Sequence, residues 1–291
     1  MLTKLPPAIK QQCRDILSAE IRTVQHVGGG DINQARLLIT DRGKFFIKLN
    51  TSPDAARMFE TEAKGLDLMR RTKTVHIPEV IAAGSTDDGA FLLLEYIATG
   101  QRASDFWDLF GEGLAALHRH AAPQFGLDHA NFIGSLPQSN RFHATWPDFY
   151  EKERLRPQLD LALHTGQLGN GDASLFEKLI KNLPDLCPAE PPALIHGDLW
   201  SGNFMVGITG QPVLVDPSVC YAHREMDLAM SRLFGGFAKP FYHSYEAAFP
   251  LEPGFEQRLP IYELYYLMVH VNLFGGGYVR SVRQVLKAFG G

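Results

Sequence analysis

The residues best suited to chemistry lie in the segment HGDLWSGN (196–203) and at Asp216, which follows the apolar run PVLV. An Asp, an Asn five positions later and a second Asp after an apolar strand form a pattern typical of phosphoryl-transfer enzymes. Such enzymes need an acceptor for the proton of the attacking hydroxyl and oxygen ligands for Mg²⁺. We therefore expect Asp198 to be the catalytic residue, and Asn203 and Asp216 to bind the metal. The alternative is a polar turn between two strands, because turns favour the same residue types.

A lysine in an apolar strand, Lys48 in KFFIKLN (44–50), is a candidate for binding nucleotide phosphates. Lysine is uncommon on such a strand unless it meets a negative partner. Glu62 lies three positions after Phe59 and four before Leu66, so it shares the apolar face of the following helix. We predict a Lys48–Glu62 ion pair that places the lysine on the phosphates of ATP. A purely structural salt bridge between sheet and helix is the alternative.

Two further segments have features of a nucleotide site. Backbone N–H groups of the glycine-rich turn GGGDINQA (28–35) can approach phosphate oxygens closely, because glycine has no side chain. Backbone groups at the end of the strand in FLLLEYIATG (91–100) could bind the edge of adenine. An ordinary hairpin turn and an ordinary edge strand remain the alternatives. The candidate nucleotide-binding residues are therefore Gly29, Gly30, Asp31, Glu95, Tyr96 and Ile97.

The order of the predicted elements indicates an α+β fold of two lobes. Strand patterns fill most of the first third, with an amphipathic helix over 7–20 and another that begins at Ser52-Pro53-Asp54. The remainder is mostly helical, with one strand pair around HGDLWSGN. We predict a nucleotide-binding N-lobe over 1–97 and a C-lobe over 98–291 that carries the catalytic loop, metal and substrate site. A hinge is expected at Glu95 to Gly100, with a cleft between the lobes.

Composition argues against several classes of partner. The 291 residues are 45% hydrophobic, enough for a sizeable core, and the net charge is −4. Because there is no basic excess, we do not expect nucleic acid as a partner. No apolar run is long enough to span a bilayer, so we expect no membrane partner. The three cysteines are widely spaced without CxxC, and the N-terminus does not read as a signal peptide, so we expect a cytoplasmic protein with reduced thiols.

The motifs ALIHGDLWSGN (193–203) and VDPSVCYAHREMDLAMSRLFGGF (215–237) resemble the fructosamine/ketosamine-3-kinase family, within the aminoglycoside-phosphotransferase-like superfamily. The resemblance covers nearly the whole chain. Its other segments are GGGDINQA, FFIKLN, MFETEAKGL, NFIGSLPQSN, WPDFYEKERLRPQLDLA and PGFEQRLPIYELYYL. The resemblance implies a protein-kinase-like two-lobed fold, with an antiparallel sheet plus one helix in the N-lobe and a mainly helical C-lobe.

The resemblance also implies a reaction. ATP and Mg²⁺ would be used to phosphorylate the C3 hydroxyl of a ketoamine, such as a fructosamine, ribulosamine or erythrulosamine adduct, on a small molecule or a protein. The product would be unstable and release the free amine, which amounts to deglycation. The resemblance implies the same site roles as the motifs do. Asp198 would accept the proton, Lys48 and Glu62 would hold the phosphates, and the metal would be bound by Asn203 and Asp216. A kinase for another small alcohol, such as an aminoglycoside, choline or a free sugar, remains the alternative.

A nucleotide-binding protein without catalysis is disfavoured, because such a protein would be expected to lack one of Lys48, Asp198, Asn203 and Asp216. Asp216 is followed by Pro217-Ser218, and no activation segment follows, which favours a small-molecule kinase over a protein kinase.

Several residues are candidates for the substrate side of the site. Trp200, two positions after Asp198, could stack on a sugar face or pack under the catalytic loop. His270 is expected to face the cleft from the C-terminal helices. The segments NFIGSLPQSN and HATWPDFY are predicted to be ordered loops that wall the substrate pocket. Arg224 and Asp227 are predicted to brace the catalytic loop.

Overall fold

In the computed structural model, which describes residues 4–28 and 33–290, the sheet-rich part of the chain comes first. Its elements are α1 (Pro7–Leu17), β1 (Ile21–Val27), β2 (Gln34–Thr40), β3 (Gly43–Asn50), α2 (Ala55–Thr72), β4 (Val80–Thr86) and β5 (Gly89–Glu95). The mainly helical part continues with α3 (Phe106–His118), β6 (Asn131–Ile133), β7 (Leu136–Gln138), α4 (Trp146–Phe149), a π-helix (Tyr150–Leu155), α5 (Arg156–His164), α6 (Asn170–Leu186), β8 (Ala193–Ile195), β9 (Phe204–Val206), β10 (Pro212–Leu214), β11 (Cys220–Ala222), α7 (Glu225–Leu233), α8 (Lys239–Ala248), α9 (Phe255–Phe274), a 3₁₀ turn (Gly276–Tyr278) and α10 (Val279–Phe289).

The five strands that the sequence patterns predict form one antiparallel sheet, and its strand order is β1-β2-β3-β5-β4. One face of this sheet packs on α1, where Ile9 and Cys13 join a core that includes Ile47 and Leu49 of β3. Because side chains alternate along a strand, Lys48 points to the opposite face, towards α2. The helix α1 is thus a second helix on this sheet, beside the one helix that the resemblance implied.

The helix α2 begins later than predicted. Its first residue is Ala55 and its N-cap residue is Asp54, whose side chain makes no capping hydrogen bond. Ser52 instead belongs to a preceding turn, since its N–H donates to the Asn50 side chain at 2.7 Å and its carbonyl accepts from Ala55 at 3.0 Å. The prediction of a helix that starts at Ser52-Pro53-Asp54 was wrong, because that turn uses the same residue types as a helix N-terminus.

The strands around HGDLWSGN do not form the single pair that was predicted. The short strand β8 pairs with β11, and β9 pairs with β10. The segment NFIGSLPQSN, predicted to be a loop, contains the hairpin β6–β7. Likewise HATWPDFY contains the helix α4, capped by the Thr145 side chain. Each of these strands has only three residues, too few for an alternating pattern to appear in the sequence.

The chain divides into two compact units, and each is described separately below. The first unit comprises Met1–Phe106 and Phe204–Pro217, and the second comprises Trp107–Asn203 and Ser218–Gly291. This grouping differs from a boundary after residue 97. The segment 98–106 stays with the first unit because Gly100 N–H donates to Val206 O at 3.1 Å and Ala103 N–H donates to Gly210 O at 3.2 Å. Within the described residues, no helix is long and apolar enough to cross a membrane.

Candidate functional site

Lys48 in the first unit makes the ion pair that the sequence predicts, and a second one. Its Nζ lies 2.6 Å from Glu62 Oε1 and 2.6 Å from Asp216 Oδ1. The lysine is only 6% exposed on β3, and Glu62 reaches it from the apolar face of α2. Glu60 points outward and pairs with Lys64 at 2.7 Å. The helical periodicity therefore distinguished the inward glutamate from the outward one.

The two carboxylates keep Lys48 charged. Burial alone would lower the pKa of its ammonium group, but the charges of Asp216 and Glu62 and their hydrogen bonds raise the pKa well above its ordinary value. For Glu62, burial raises the pKa against the opposing effect of Lys48. The lysine is thus a fixed positive charge beside a partly exposed carboxylate, which is a suitable arrangement for binding phosphate together with a metal.

Asp216 follows β10 in an unusual backbone conformation. Its φ is 57°, in the left-handed region that Asp tolerates better than most residues. Its side chain is 45% exposed, and only Oδ1 is bonded to Lys48. A carboxylate oxygen on a partly exposed side chain is the kind of ligand that Mg²⁺ prefers, so Asp216 fits the role predicted for it.

The other residues predicted to bind nucleotide also belong to the first unit. Glu95 is the last residue of β5 and forms two hydrogen bonds with Glu79, which precedes β4. The Glu95 N–H donates to Glu79 O at 2.9 Å, and the Glu95 carboxylate accepts from the Glu79 N–H at 3.1 Å. Lys44 lies 5.6 Å from the centre of the Tyr96 ring, and Ile97 is buried. Gly29, Gly30 and Asp31 lie outside the described residues. The adenine and phosphate roles of these six residues stay predictions.

In the second unit, Asn203 and Asp198 are joined within one loop. The Asn203 Nδ2 donates to the Asp198 carbonyl at 2.8 Å and to its Oδ2 at 3.0 Å. Asn203 is only 6% exposed, and its N–H donates to the Trp200 carbonyl at 3.0 Å. Both contacts to Asp198 use the amide nitrogen of Asn203, so the amide oxygen Oδ1 is not used in them and can act as a metal ligand. That atom suits Mg²⁺, so Asn203 also fits its predicted role.

The residue before Asp198 must be glycine. Gly197 has a φ of +84°, and a Cβ there would lie 2.0 Å from the Ser218 carbonyl oxygen. The same neighbour fixes the preceding residue, since Ser218 N–H donates to His196 O at 2.8 Å. The residue directly before Asp198 thus has a backbone conformation that only glycine adopts at low cost.

Asp227 on α7 holds this loop through its backbone. Its carboxylate accepts from His196 N–H at 2.7 Å and from Gly197 N–H at 2.8 Å, and it is fully buried. The predicted brace is thereby confirmed for Asp227. It was wrong for Arg224, which binds Glu190 and two backbone carbonyls near the end of α8 instead. Arg224 is the N-cap residue of α7 and lies before its first helical turn, so the spacing of three residues does not place it on one helix face with Asp227.

Three contributors to the loop were not predicted. His118 at the end of α3 places Nε2 3.0 Å from Asp227 Oδ2 and Nδ1 2.8 Å from the Tyr245 hydroxyl. On α9, the Tyr266 hydroxyl donates to Gly197 O at 3.1 Å. These residues are far from HGDLWSGN in sequence and look like core residues, so no local pattern could identify them.

The segment NFIGSLPQSN supports the loop rather than walling a pocket with its polar side chains. Asn131 Nδ2 donates to Val219 O at 2.8 Å, and Gln138 Nε2 donates to Ser218 Oγ at 3.1 Å. Asn140 Nδ2 donates to the Asn131 side chain at 2.9 Å. All three side chains are buried, so they position the backbone after Asp216.

The two candidate substrate residues also lie in the second unit. Trp200 is 38% exposed, and its indole lies over Gly202, where a Cβ would come within 2.4 Å of the ring. His270 lies on α9 one turn after Tyr266, and its Nδ1 is 2.8 Å from the Tyr266 carbonyl oxygen. Burial lowers the pKa of this imidazole. Because the indole of Trp200 is partly exposed and also packs against the loop at Gly202, stacking on a sugar and packing under the loop both stay predictions.

A separate group of ionisable side chains in the second unit has the composition of a metal site but is held together by salt bridges. Ligand atoms of Glu190, His223 and Glu225 lie within 4.8 Å of one another. Arg224 binds both oxygens of Glu190 at 2.7 Å, and Arg258 binds both oxygens of Glu225. Because guanidinium groups occupy all four carboxylate oxygens, the group is a pair of buried salt bridges rather than a metal site.

The fold and these residues define the class of protein. Crystal structures of the aminoglycoside phosphotransferase APH(4)-Ia match 97% of this chain and 98% of their own, with a TM-score of 0.62 at 13–14% sequence identity. At this identity the similarity establishes the kinase-like fold alone. Both the α+β architecture and the kinase-like class predicted from the sequence are therefore confirmed.

The chain belongs to the fructosamine kinase family, whose model matches residues 5–289. A candidate ketoamine kinase of Synechocystis sp. is 42% identical over 268 residues, which are 92% of this chain and 90% of that protein. The ketosamine-3-kinase of Mus musculus is 33% identical, with 94% and 97% of the two chains covered. The structure of a candidate fructosamine-3-kinase from Thermobifida fusca has a TM-score of 0.86 at 32% identity, over 97% of this chain and 98% of that one. The resemblance seen in the motifs is thereby confirmed.

Proposed function

We propose that this protein is an ATP-dependent ketosamine-3-kinase that phosphorylates the C3 hydroxyl of a sugar-derived ketoamine. The observation that carries the proposal is the loop around Asp198, which is held in the second unit by Asn203, Gly197 and Asp227. A loop fixed in this way is suited to orient one carboxylate towards a substrate hydroxyl. Relatives named as ketoamine and ketosamine kinases support the choice of substrate.

Each residue has a defined task in this reaction. Asp198 accepts the proton of the C3 hydroxyl as the hydroxyl oxygen forms a bond to the γ-phosphorus of ATP, while the bond from that phosphorus to the β–γ bridging oxygen breaks and ADP leaves. Lys48 neutralises negative charge on the phosphates, and Glu62 holds its ammonium group in place. Asn203 and Asp216 would each supply an oxygen ligand to Mg²⁺. The metal, when bound, offsets the charge of the phosphate oxygens.

The remaining nucleotide contacts are proposed from the sequence. Backbone groups of Glu95, Tyr96 and Ile97 would bind adenine, and the backbone of Gly29, Gly30 and Asp31 would approach the phosphates. Under this proposal residues 1–97 form the nucleotide-binding part of the enzyme, and 98–291 carry the catalytic loop and the substrate site. Free cysteines in the described chain fit a reaction in the cytoplasm.

For the sugar, we propose Trp200 as the stacking surface, because an exposed indole lies two positions after Asp198. His270 is proposed as a second substrate contact. Plant relatives from Oryza sativa and Arabidopsis thaliana, each 38% identical over 280 residues, are named protein-ribulosamine 3-kinases. Ribulosamines therefore stand beside fructosamines and erythrulosamines as candidate substrates, on small amines or on protein lysines.

The test is ATP consumption with Mg²⁺ against fructosyl-, ribulosyl- and erythrulosyl-lysine, with free sugars, choline and aminoglycosides as controls. We expect turnover confined to ketoamines, and a loss of at least about a thousandfold in kcat for Asp198→Ala with ADP binding retained. The exposed Asp128, 82% accessible, provides a matched control as Asp128→Ala. Turnover of a control alcohol alone would overturn the substrate class, and an active Asp198→Ala enzyme would overturn the catalytic role.

A further inference from the structure

Four aromatic side chains meet at the carboxyl end of α9 in the second unit. The His270 imidazole lies 4.6 Å from Phe234, 5.5 Å from Phe274 and 5.0 Å from Tyr278, measured between ring centres. We call these four residues the α9 aromatic group. Phe274 is 60% exposed and the other three rings are partly exposed, so the group is open to solvent. A large exposed aromatic ring beside partly buried ones is a common feature of binding surfaces.

The imidazole of this group presents a hydrogen-bond acceptor to the outside. The His270 Nδ1 lies 2.8 Å from the Tyr266 carbonyl, and a carbonyl oxygen can only accept, so the proton is on Nδ1. The other nitrogen, Nε2, then carries a lone pair, since burial lowers the pKa of the ring and keeps it neutral. Within the part of the chain that the structure describes, no hydrogen bond to Nε2 is formed.

The group also contains no charge of its own. Among the described residues, none of its four members forms an ion pair, a cation–π contact or a hydrogen bond with a charged side chain. Aromatic faces and a neutral imidazole acceptor together attract a positively charged N–H donor, because the ring quadrupole is negative on its face.

His270 of the α9 aromatic group lies on the same face of α9 as Tyr266, a residue that contacts the catalytic loop. Tyr266 donates to Gly197 O, next to Asp198, and His270 follows four residues later, about 6 Å along the axis. In a ketoamine, the nitrogen is attached to C1, two carbon atoms from the hydroxyl on C3. To reach this group, a substrate with its C3 hydroxyl at Asp198 would have to extend its nitrogen along α9 towards His270.

We propose that the α9 aromatic group binds the protonated amine of the ketoamine, with the N–H donated to His270 Nε2 and the charge resting against Phe274 and Tyr278. This inference rests on the proposed function and adds how the enzyme recognises the amine rather than the sugar. It separates a ketoamine from the corresponding free sugar, which has no ammonium group to offer.

The surface beside the group leaves room for a large carrier. Gly276 and Gly277 both have negative φ, and a Cβ built on either would meet no atom within 4 Å. Neither backbone conformation nor packing therefore requires glycine here. The absence of side chains keeps the approach to Tyr278 open, which fits an amine carried on a protein lysine as well as on a small molecule.

The test compares two ketoamines that differ in the charge of the nitrogen. An N-alkyl ketoamine such as fructosyl-lysine is an ammonium at pH 7, whereas an N-aryl ketoamine made from aniline is uncharged. In Phe274→Leu and Tyr278→Leu, we expect KM for the N-alkyl substrate to rise roughly threefold to tenfold, with kcat and KM for ATP nearly unchanged. KM for the N-aryl substrate should change less than about twofold. The conservative Tyr278→Phe, which keeps the ring face, should retain the wild-type KM.

The matched control is Phe142→Leu, which removes another exposed aromatic ring, 52% accessible and outside the group. It should leave KM for both substrates unchanged, and melting temperatures check that all variants are folded. An equal change in KM for the charged and the uncharged substrate, or no change in either, would overturn the inference.

If the wild-type enzyme phosphorylates neither ketoamine, the proposed function fails. Calorimetric binding of the same two compounds then tests the amine subsite on its own. Weaker binding of only the N-alkyl compound by Phe274→Leu supports the subsite, and equal binding by wild type and variant refutes it.

Discussion

The substitution Asp227→Asn tests whether the catalytic loop is held by one buried carboxylate. Asp227 Oδ1 accepts from Gly197 N–H at 2.8 Å, and Oδ2 accepts from His196 N–H at 2.7 Å and lies 3.0 Å from His118 Nε2. Asparagine offers one oxygen and one NH₂ group in the same space. One of the two backbone N–H groups must then face another donor, so the variant removes a hydrogen bond and leaves a buried polar group unpaired.

The size of the effect follows from these contacts. A hydrogen bond to a charged group contributes about 1.5–3 kcal/mol, and leaving a buried donor unpaired costs about 1–3 kcal/mol. Because the two terms overlap, we expect the free energy of unfolding to fall by about 2–4 kcal/mol. We expect the oxygen of the new asparagine side chain to keep the position of Oδ2, which has two partners, so that the Gly197 N–H loses its acceptor. A displacement of Asp198 by about 1 Å would then lower kcat by roughly a hundredfold.

The assay measures kcat, KM for ATP and urea unfolding in parallel for wild type, Asp227→Asn and a control. We expect KM for ATP to stay within about twofold, because Lys48 and Asp216 lie in the other compact unit. Asp172→Asn is a suitable control, since Asp172 is another largely buried carboxylate but pairs with Arg283 on α10. It should lose stability without a loss of kcat beyond about twofold. An Asp227→Asn enzyme with wild-type kcat would refute the reasoning, whatever its stability.

Three further predictions concern charge and burial. Lys48→Met should abolish turnover and lower the free energy of unfolding by about 3 kcal/mol in denaturant titrations, because it leaves Glu62 buried without its cation. Glu62→Gln keeps the ion pair between Lys48 and Asp216, so this variant should retain measurable activity. Burial lowers the pKa of His223 from 6.5 to about 4, so the unfolded chain binds the proton first as the pH falls. Stability should then drop by about 2 kcal/mol between pH 7 and pH 5, and a His223→Gln variant should not show this part of the drop in urea titrations at both pH values. Burial raises the pKa of Cys13 to about 12 and that of Cys187 to about 11, so both thiols stay protonated, and the native protein should react with DTNB roughly a hundredfold more slowly than the unfolded chain. Rapid labelling of the native protein would contradict this.

The parts of the fold that the sequence predicted are those with a long repeating pattern. The strands β1 to β5 are seven or eight residues long, enough for alternation to appear, and α2 shows the helical period that selected Glu62 over Glu60. The pairing of Lys48 with Glu62 followed because a charged residue on an apolar face needs a partner. The helical pattern and the cost of burying a charge thus both predicted the Lys48–Glu62 pair of the first unit.

The errors occur where a structure depends on contacts between distant segments. The strand β8 finds its partner in β11, with the catalytic loop and the β9–β10 hairpin between them in sequence. The turn at Ser52-Pro53-Asp54 has the composition of a helix N-terminus, and only the side chain of Asn50 shows which of the two is formed. His118 and Tyr245 look like core residues, and their link to Asp227 exists only in the folded chain.

The charges of Lys48, Glu62 and Asp216 in the first unit give a physical reason for the proposed Mg²⁺. Lys48 is one cation shared by two carboxylates, so the three side chains together carry a net negative charge when all are ionised. Such a group repels a phosphate as long as Asp216 is uncompensated. Under the proposed function, a divalent cation bound by Asp216 would make the net charge positive, and Lys48 would be able to bind phosphate while it stays paired with Glu62. The same three residues therefore favour a nucleotide that arrives with its metal over a free one, which is the form of substrate that phosphoryl transfer requires.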